Sequence, residues 1–116
     1  MKDWTPIRDR FLRDGIPVRL GGLAPNLSRI QAFSADDAGR AAAASVVEES
    51  KWFIEWMAHE TPIETAAQLV ELQIQLALWQ LRWSQIWHDP ESRKQLADQS
   101  SAWSDRVLVL SGLLNF

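Results

Sequence analysis

Two histidines, His59 and His88, are the only imidazoles in a chain of 116 residues, and no cysteine accompanies them. Glu55 stands one helical turn before His59, and Glu60 stands beside it, which would give a metal ion a single surface contact. A carboxylate-bridged metal pair needs Glu-x-x-His twice on facing helices, and that pattern is absent. Each histidine instead closes an apolar helical pattern, where a partly protonated imidazole suits the negative end of the helix dipole. No metal site is therefore expected. The lack of cysteine removes disulfides, thiolate nucleophiles and Cys-ligated metals, and fits a reducing compartment. Ser34 and Thr61 read as helix caps, with no base placed to activate either hydroxyl. Gly21-Gly22 is too short for a phosphate-binding loop and follows no strand. No catalytic and no cofactor-binding residue is assigned, and the chain is not expected to be an enzyme.

Residues suited to binding are more plentiful. Four arginines, Arg8, Arg10, Arg13 and Arg19, fall within twelve residues. Residues 1–40 carry seven basic side chains against five acidic, and residues 41–116 carry five against ten, so a +2 segment precedes a −5 remainder. Either the basic third lies across the acidic helices, or it is exposed for an acidic partner. Arg10 and Arg13 wind away from Ile7 and Phe11 and are assigned to a partner with Arg8; Arg19 is expected to be used within the chain. The overall charge of −3 argues against phosphate-backbone binding, so no nucleic acid is expected.

Seven tryptophans are present. Trp79, Trp83 and Trp87 form a stripe at i, i+4, i+8, and core packing accounts for Trp79, Trp83 and Trp103. Trp52 and Trp56 flank their helix's apolar face. They are the candidate contact surface, unless the N-terminal segment covers them, because tryptophan brings much area to an interface at low entropic cost. Gln73 and Gln80 point into an apolar arc and need partners there. With Trp79 and Trp83 they define an alternative, a pocket between helices for a small apolar ligand or pigment.

The elements that must position these residues are helices. Residues 62–88 read as one helix, entered at Thr61-Pro62-Ile63-Glu64 and stopped by Asp89-Pro90. One row holds Ile63, Ala67, Val70, Ile74, Ala77 and Leu81; a second holds Leu69, Leu72, Leu76, Trp79, Trp83 and Ile86. Two apolar rows predict neighbours on more than one side and make this helix the organising element. A short helix opens at Trp4-Thr5-Pro6 and ends at Gly15. A second spans about 18–33, kinked or interrupted near 21–25 by two glycines and Pro25. A third starts from the Ser34-Ala35-Asp36-Asp37 cap and runs to about residue 58, with the core row Gly39, Ala43, Val46, Ser50, Phe53 and Met57. The last begins at the Asp89 cap and presents Leu96, Ser100, Trp103, Val107, Leu110 and Leu114. Connections of two to four residues make successive helices antiparallel. The predicted fold is all-α: an antiparallel bundle of three long helices plus a kinked N-terminal helical segment, one domain over 1–116, with the first short helix as a lid.

Met1-Lys2-Asp3-Trp4 leads into charged sequence, so no signal peptide is expected, and no apolar run reaches the length of a membrane span. The stretches FLRDGIPVRLGGLA at 11–24 and WSDRVL at 103–108 resemble a small soluble protein of unassigned function that occurs in cyanobacteria. The resemblance covers about a third of the chain and holds no catalytic motif. It implies a cytoplasmic or thylakoid-associated setting and an accessory role beside photosynthetic machinery. The expected function is a non-enzymatic, protein-binding one, with homo-oligomer formation left open.

Overall fold

The computed structural model describes residues 2–114; Met1, part of the N-terminal reading, lies outside them. Six α-helices follow one another: α1 (Thr5–Leu12), α2 (Ile16–Phe33), α3 (Arg40–Met57), α4 (Ile63–Leu81), α5 (Trp83–His88) and α6 (Pro90–Ser111). Single 3-10 turns at Asp37–Gly39 and Ala58–Glu60 lead into and out of α3. No strand occurs among the described residues, and the helices form an all-α bundle.

The organising element is α2, not the helix that follows Pro62. It packs along α3 on one side and, most extensively, against α6 on the other. Leu20, Leu23, Leu27 and Ile30 are almost fully buried, at 0–2 % exposure. The contact with α6 is close because small residues face one another. Ser104 Oγ lies 2.8 Å from both the Ala24 carbonyl oxygen and Ser28 Oγ. A Cβ added to Gly21 would come within 2.6 Å of Leu113 Cδ1. Small side chains let two axes approach closely, and this displaces the expected α6 row. Leu96, Ser100, Ser104, Val107 and Ser111 are buried, whereas Trp103 and Leu110 are half-buried and Leu114 is exposed.

Pro25 does not interrupt α2, which is helical throughout 16–33. The residue four back is Gly21, which has no side chain to crowd the ring, and Pro25 itself faces solvent. The expected single helix over 62–88 is instead two, divided at Arg82, whose φ of −105° and ψ of 15° leave the helical region. No glycine or proline marks this break. It turns Trp87 inward, where the indole is buried and its Nε1 donates to the Asp37 carbonyl oxygen at 3.1 Å.

Caps also differ from expectation. Asp89 holds the start of α6, accepting from the Glu91 amide at 3.3 Å and from Ser92 Oγ at 2.7 Å. Ser34 turns back to the carbonyls of Ile30 and Gln31, leaving Asp36 to accept from the Ala38 amide at 3.0 Å. Thr61 donates to the Ala58 carbonyl, so α4 starts with no side-chain cap. Gly39 is required where it stands: a Cβ there would meet the Phe33 carbonyl oxygen at 2.0 Å.

Candidate interaction surfaces

The first surface is built by α1 lying on α3. The Phe11 ring stacks on Phe53 with centroids 4.2 Å apart, and Trp56 closes over both at 5.9 and 6.0 Å. Trp52 stacks on Trp56 at 5.9 Å, and Trp4 covers the pair from the N-terminal side at 6.2 and 6.5 Å. The cover is partial. Trp56 is half-buried, while Trp52 keeps 39 % of its surface open. Docking Phe11 inward turns Arg8, Arg10 and Arg13 outward; all three are exposed, and among the described residues none makes a side-chain hydrogen bond or ion pair. Arg19 behaves differently. It is buried, with Nη1 2.6 Å from Glu60 Oε2 and Nε donating to the Asp14 carbonyl at 2.6 Å.

The four residues of the pocket reading are not gathered around one cavity. Trp79 is in the core at 4 % exposure. Gln73 and Gln80 border a cleft between α3 and α4 with Glu48, Lys51, Trp52 and Glu55. Gln73 Nε2 lies 3.3 Å from Glu55 Oε2, and Gln80 Oε1 accepts from Lys51 Nζ at 2.7 Å. Gln80 is exposed rather than set into the apolar interior. Trp83 is half-buried in a separate cleft of about 490 Å³ with Ala41, Ala44, Val47 and Gln80. Among the described residues, its indole Nε1 is buried without a hydrogen-bond partner.

A third surface escaped the periodicity argument. Of the two apolar rows of α4, only Leu69, Leu72, Leu76 and Trp79 enter the core. The other row faces solvent: Ile63 is 80 % exposed, Val70 48 %, Ile74 59 % and Leu81 80 %, with Ala67 and Ala77 also exposed. Leu78 extends it toward α6, where Ile74, Gln75 and Leu78 line a groove with Ala102 and Trp103. Arg106 edges this groove, its Nη2 3.2 Å from Glu71 Oε2 and its guanidinium 4.3 Å above the Trp103 ring. Periodicity identifies an apolar face but not which face receives a neighbour.

Among the described residues, no three histidine or acidic side chains converge to hold a metal ion, and no helix is long and apolar enough to cross a membrane. Compared with known proteins, the chain matches no family model, no curated protein and no solved structure.

Proposed function

We infer that this chain is a non-enzymatic protein-interaction or accessory protein, with a contact formed by Arg8, Arg10 and Arg13 of α1 and by Trp52 and Trp56 of α3. One observation carries the reading: α1, whose Phe11 packs against Trp56, holds three exposed guanidinium groups that are unpaired among the described residues, and the stack of Trp52 and Trp56 is partly open. Guanidinium forks bind carboxylates through both oxygens, and indoles contribute contact area at little entropic cost. The complementary partner is an acidic protein surface. A cytoplasmic or thylakoid-associated setting, and an accessory role beside photosynthetic machinery, rest only on the resemblance of residues 11–24 and 103–108.

The test is affinity capture from source cells with the parent chain and with the Arg10→Glu/Arg13→Glu variant. The variant is expected to lose the captured partner, most clearly at low salt, where charge steering is strongest. A variant that melts several degrees lower and keeps its partner would remove this face as the contact.

A second reading, small-ligand binding, has one observation in its favour. Trp83 Nε1 is a buried donor without a partner beside the cleft of Ala41, Ala44 and Val47. Tryptophan emission titrated with apolar ligands and pigments tests it, and emission unchanged across the panel would dismiss it.

A further inference from the structure

The exposed row of α4 reads the same in both directions. Ile63, Ala67, Val70, Ile74, Ala77 and Leu81 are spaced 4-3-4-3-4, and reversing the row about residue 72 exchanges Ile63 with Leu81, Ala67 with Ala77, and Val70 with Ile74. Large meets large and small meets small. An interface about a two-fold axis has this requirement, because each residue that contacts another must be contacted by it in return. The spacing is also that of two helices packed along a shallow heptad seam.

Charges on one edge of the row fix the direction. Glu64 and Arg82 are eighteen residues apart, five turns at 3.6 residues each, so they lie on the same edge at opposite ends. Among the described residues neither side chain has an ion-pair partner. Antiparallel pairing brings Glu64 of one copy to within two residues, about 3 Å along the axis, of Arg82 of the other, twice. Parallel pairing would set this edge against the uncharged one, with Glu64 beside Ala66 and Arg82 beside Gln80, and give neither charge a partner. Glu71 meets its own counterpart near the axis, but its charge is already matched by Arg106 at 3.2 Å. The opposite edge carries Ala66, Gln73 and Gln80, which are uncharged.

We propose that a second copy of this chain covers this face, with the two α4 helices antiparallel and crossing at residue 72. The seam from Ile63 to Leu81 is about 27 Å long. It buries on the order of 1,000 Å² in total, near the lower bound for a specific interface, so the dimer is concentration-dependent rather than obligate.

The chain has no native cysteine, which permits a register test on the full chain. Ala67→Cys and Ala77→Cys variants are prepared separately and then mixed under oxidised glutathione. In the proposed register residue 67 of one copy faces residue 77 of the other, whereas two copies of residue 67 are about 15 Å apart along the axis, beyond disulfide reach. The mixture is expected to cross-link at least tenfold faster than either variant alone. Equal cross-linking by a single variant would overturn the antiparallel register. Sedimentation equilibrium of the parent should show mass rising with concentration, and Ile74→Glu should shift association at least tenfold weaker with the helical circular dichroism unchanged. A parent that stays monomeric at every concentration would overturn the second-copy assignment and give the face to a different protein. Unfolding of Ile74→Glu would place Ile74 in the core and overturn it equally.

Discussion

Arg19 of α2 and Glu60, in the turn after α3, are joined from Nη1 to Oε2 at 2.6 Å, and the arginine also holds the Asp14 carbonyl. This pair fastens the α1–α2 corner to the end of α3. Breaking a buried pair by removing one member costs about 3–5 kcal/mol when both charges are enclosed. Glu60 keeps 42 % of its side chain in water, so Arg19→Ala is expected to cost less, about 1.5–3 kcal/mol by the same principle discounted for screening. Urea denaturation measures it. Arg10→Ala and Arg13→Ala should leave the midpoint unchanged, and equal losses at all three positions would erase the distinction between the internal arginine and the outward ones.

The tryptophans should separate by burial. Trp79 and Trp87 are 4 % and 6 % exposed, and truncating either to alanine is expected to cost about 3–5 kcal/mol. Trp52→Ala should cost under about 1.5 kcal/mol, because Trp52 is stacked on the surface rather than enclosed. Trp83 is half-buried with an unpartnered Nε1; Trp83→Phe removes that orphan donor and is expected to be neutral or mildly stabilising. Thermal melts of the four variants give the order directly.

Asp89 has its carboxyl held below the usual carboxylate range, first by the Ser92 hydroxyl and then by the Glu91 amide. A depressed folded value means that the cap's contribution is complete above the unfolded carboxylate pKa and is lost as pH falls through the folded one. Asp89→Ala should therefore melt below the parent near neutral pH, with the gap narrowing as pH falls through the acid range. A gap of constant size across that range would show that the Asp89 charge plays no part.

Ser104 completes a short relay between α2 and α6: Ser28 Oγ donates to Ser104 Oγ, which donates to the Ala24 carbonyl. Replacing Ser104 with leucine puts three carbons where one hydroxyl oxygen stands, and overpacking of that kind costs about 1–3 kcal/mol. Ser104→Ala should cost about 1 kcal/mol, the net value of one hydrogen bond. A leucine variant as stable as the parent would mean that the two axes are free to separate.

Much of the fold could be read from local signals. Proline at the first turn and aspartate as cap place the start of α6, and the outward winding of Arg10 and Arg13 followed from the inward one of Ile7 and Phe11. What escaped has physical reasons. Gly21, Ala24, Ser28 and Ser104 carry little apolar signal, yet their smallness serves the most extensive helix contact and makes α2 the hub. The break at Arg82 has no local marker, because Trp87 and its partner Asp37 are fifty residues apart. Both rows of α4 are apolar, and only the packing of α4 against α3 decides which is covered. The Trp52/Trp56 pair was divided between cover and exposure for a similar reason, and Trp4 gives it partial cover. The arginine segment was legible as a charge excess, but only the placement of Glu60 separates Arg19 from the other three.

The Ser104–Ala24 bond spans 80 residues of chain. A growing polypeptide forms α2 early and can lay it on α3 at once, but the opposite flank of α2 stays open until the last helix emerges. Closing so large a loop is entropically slow and rewards the chain only at the end. The α2–α6 seam is thus expected to close last, with its serines slowing the opening of the native protein more than they speed its formation.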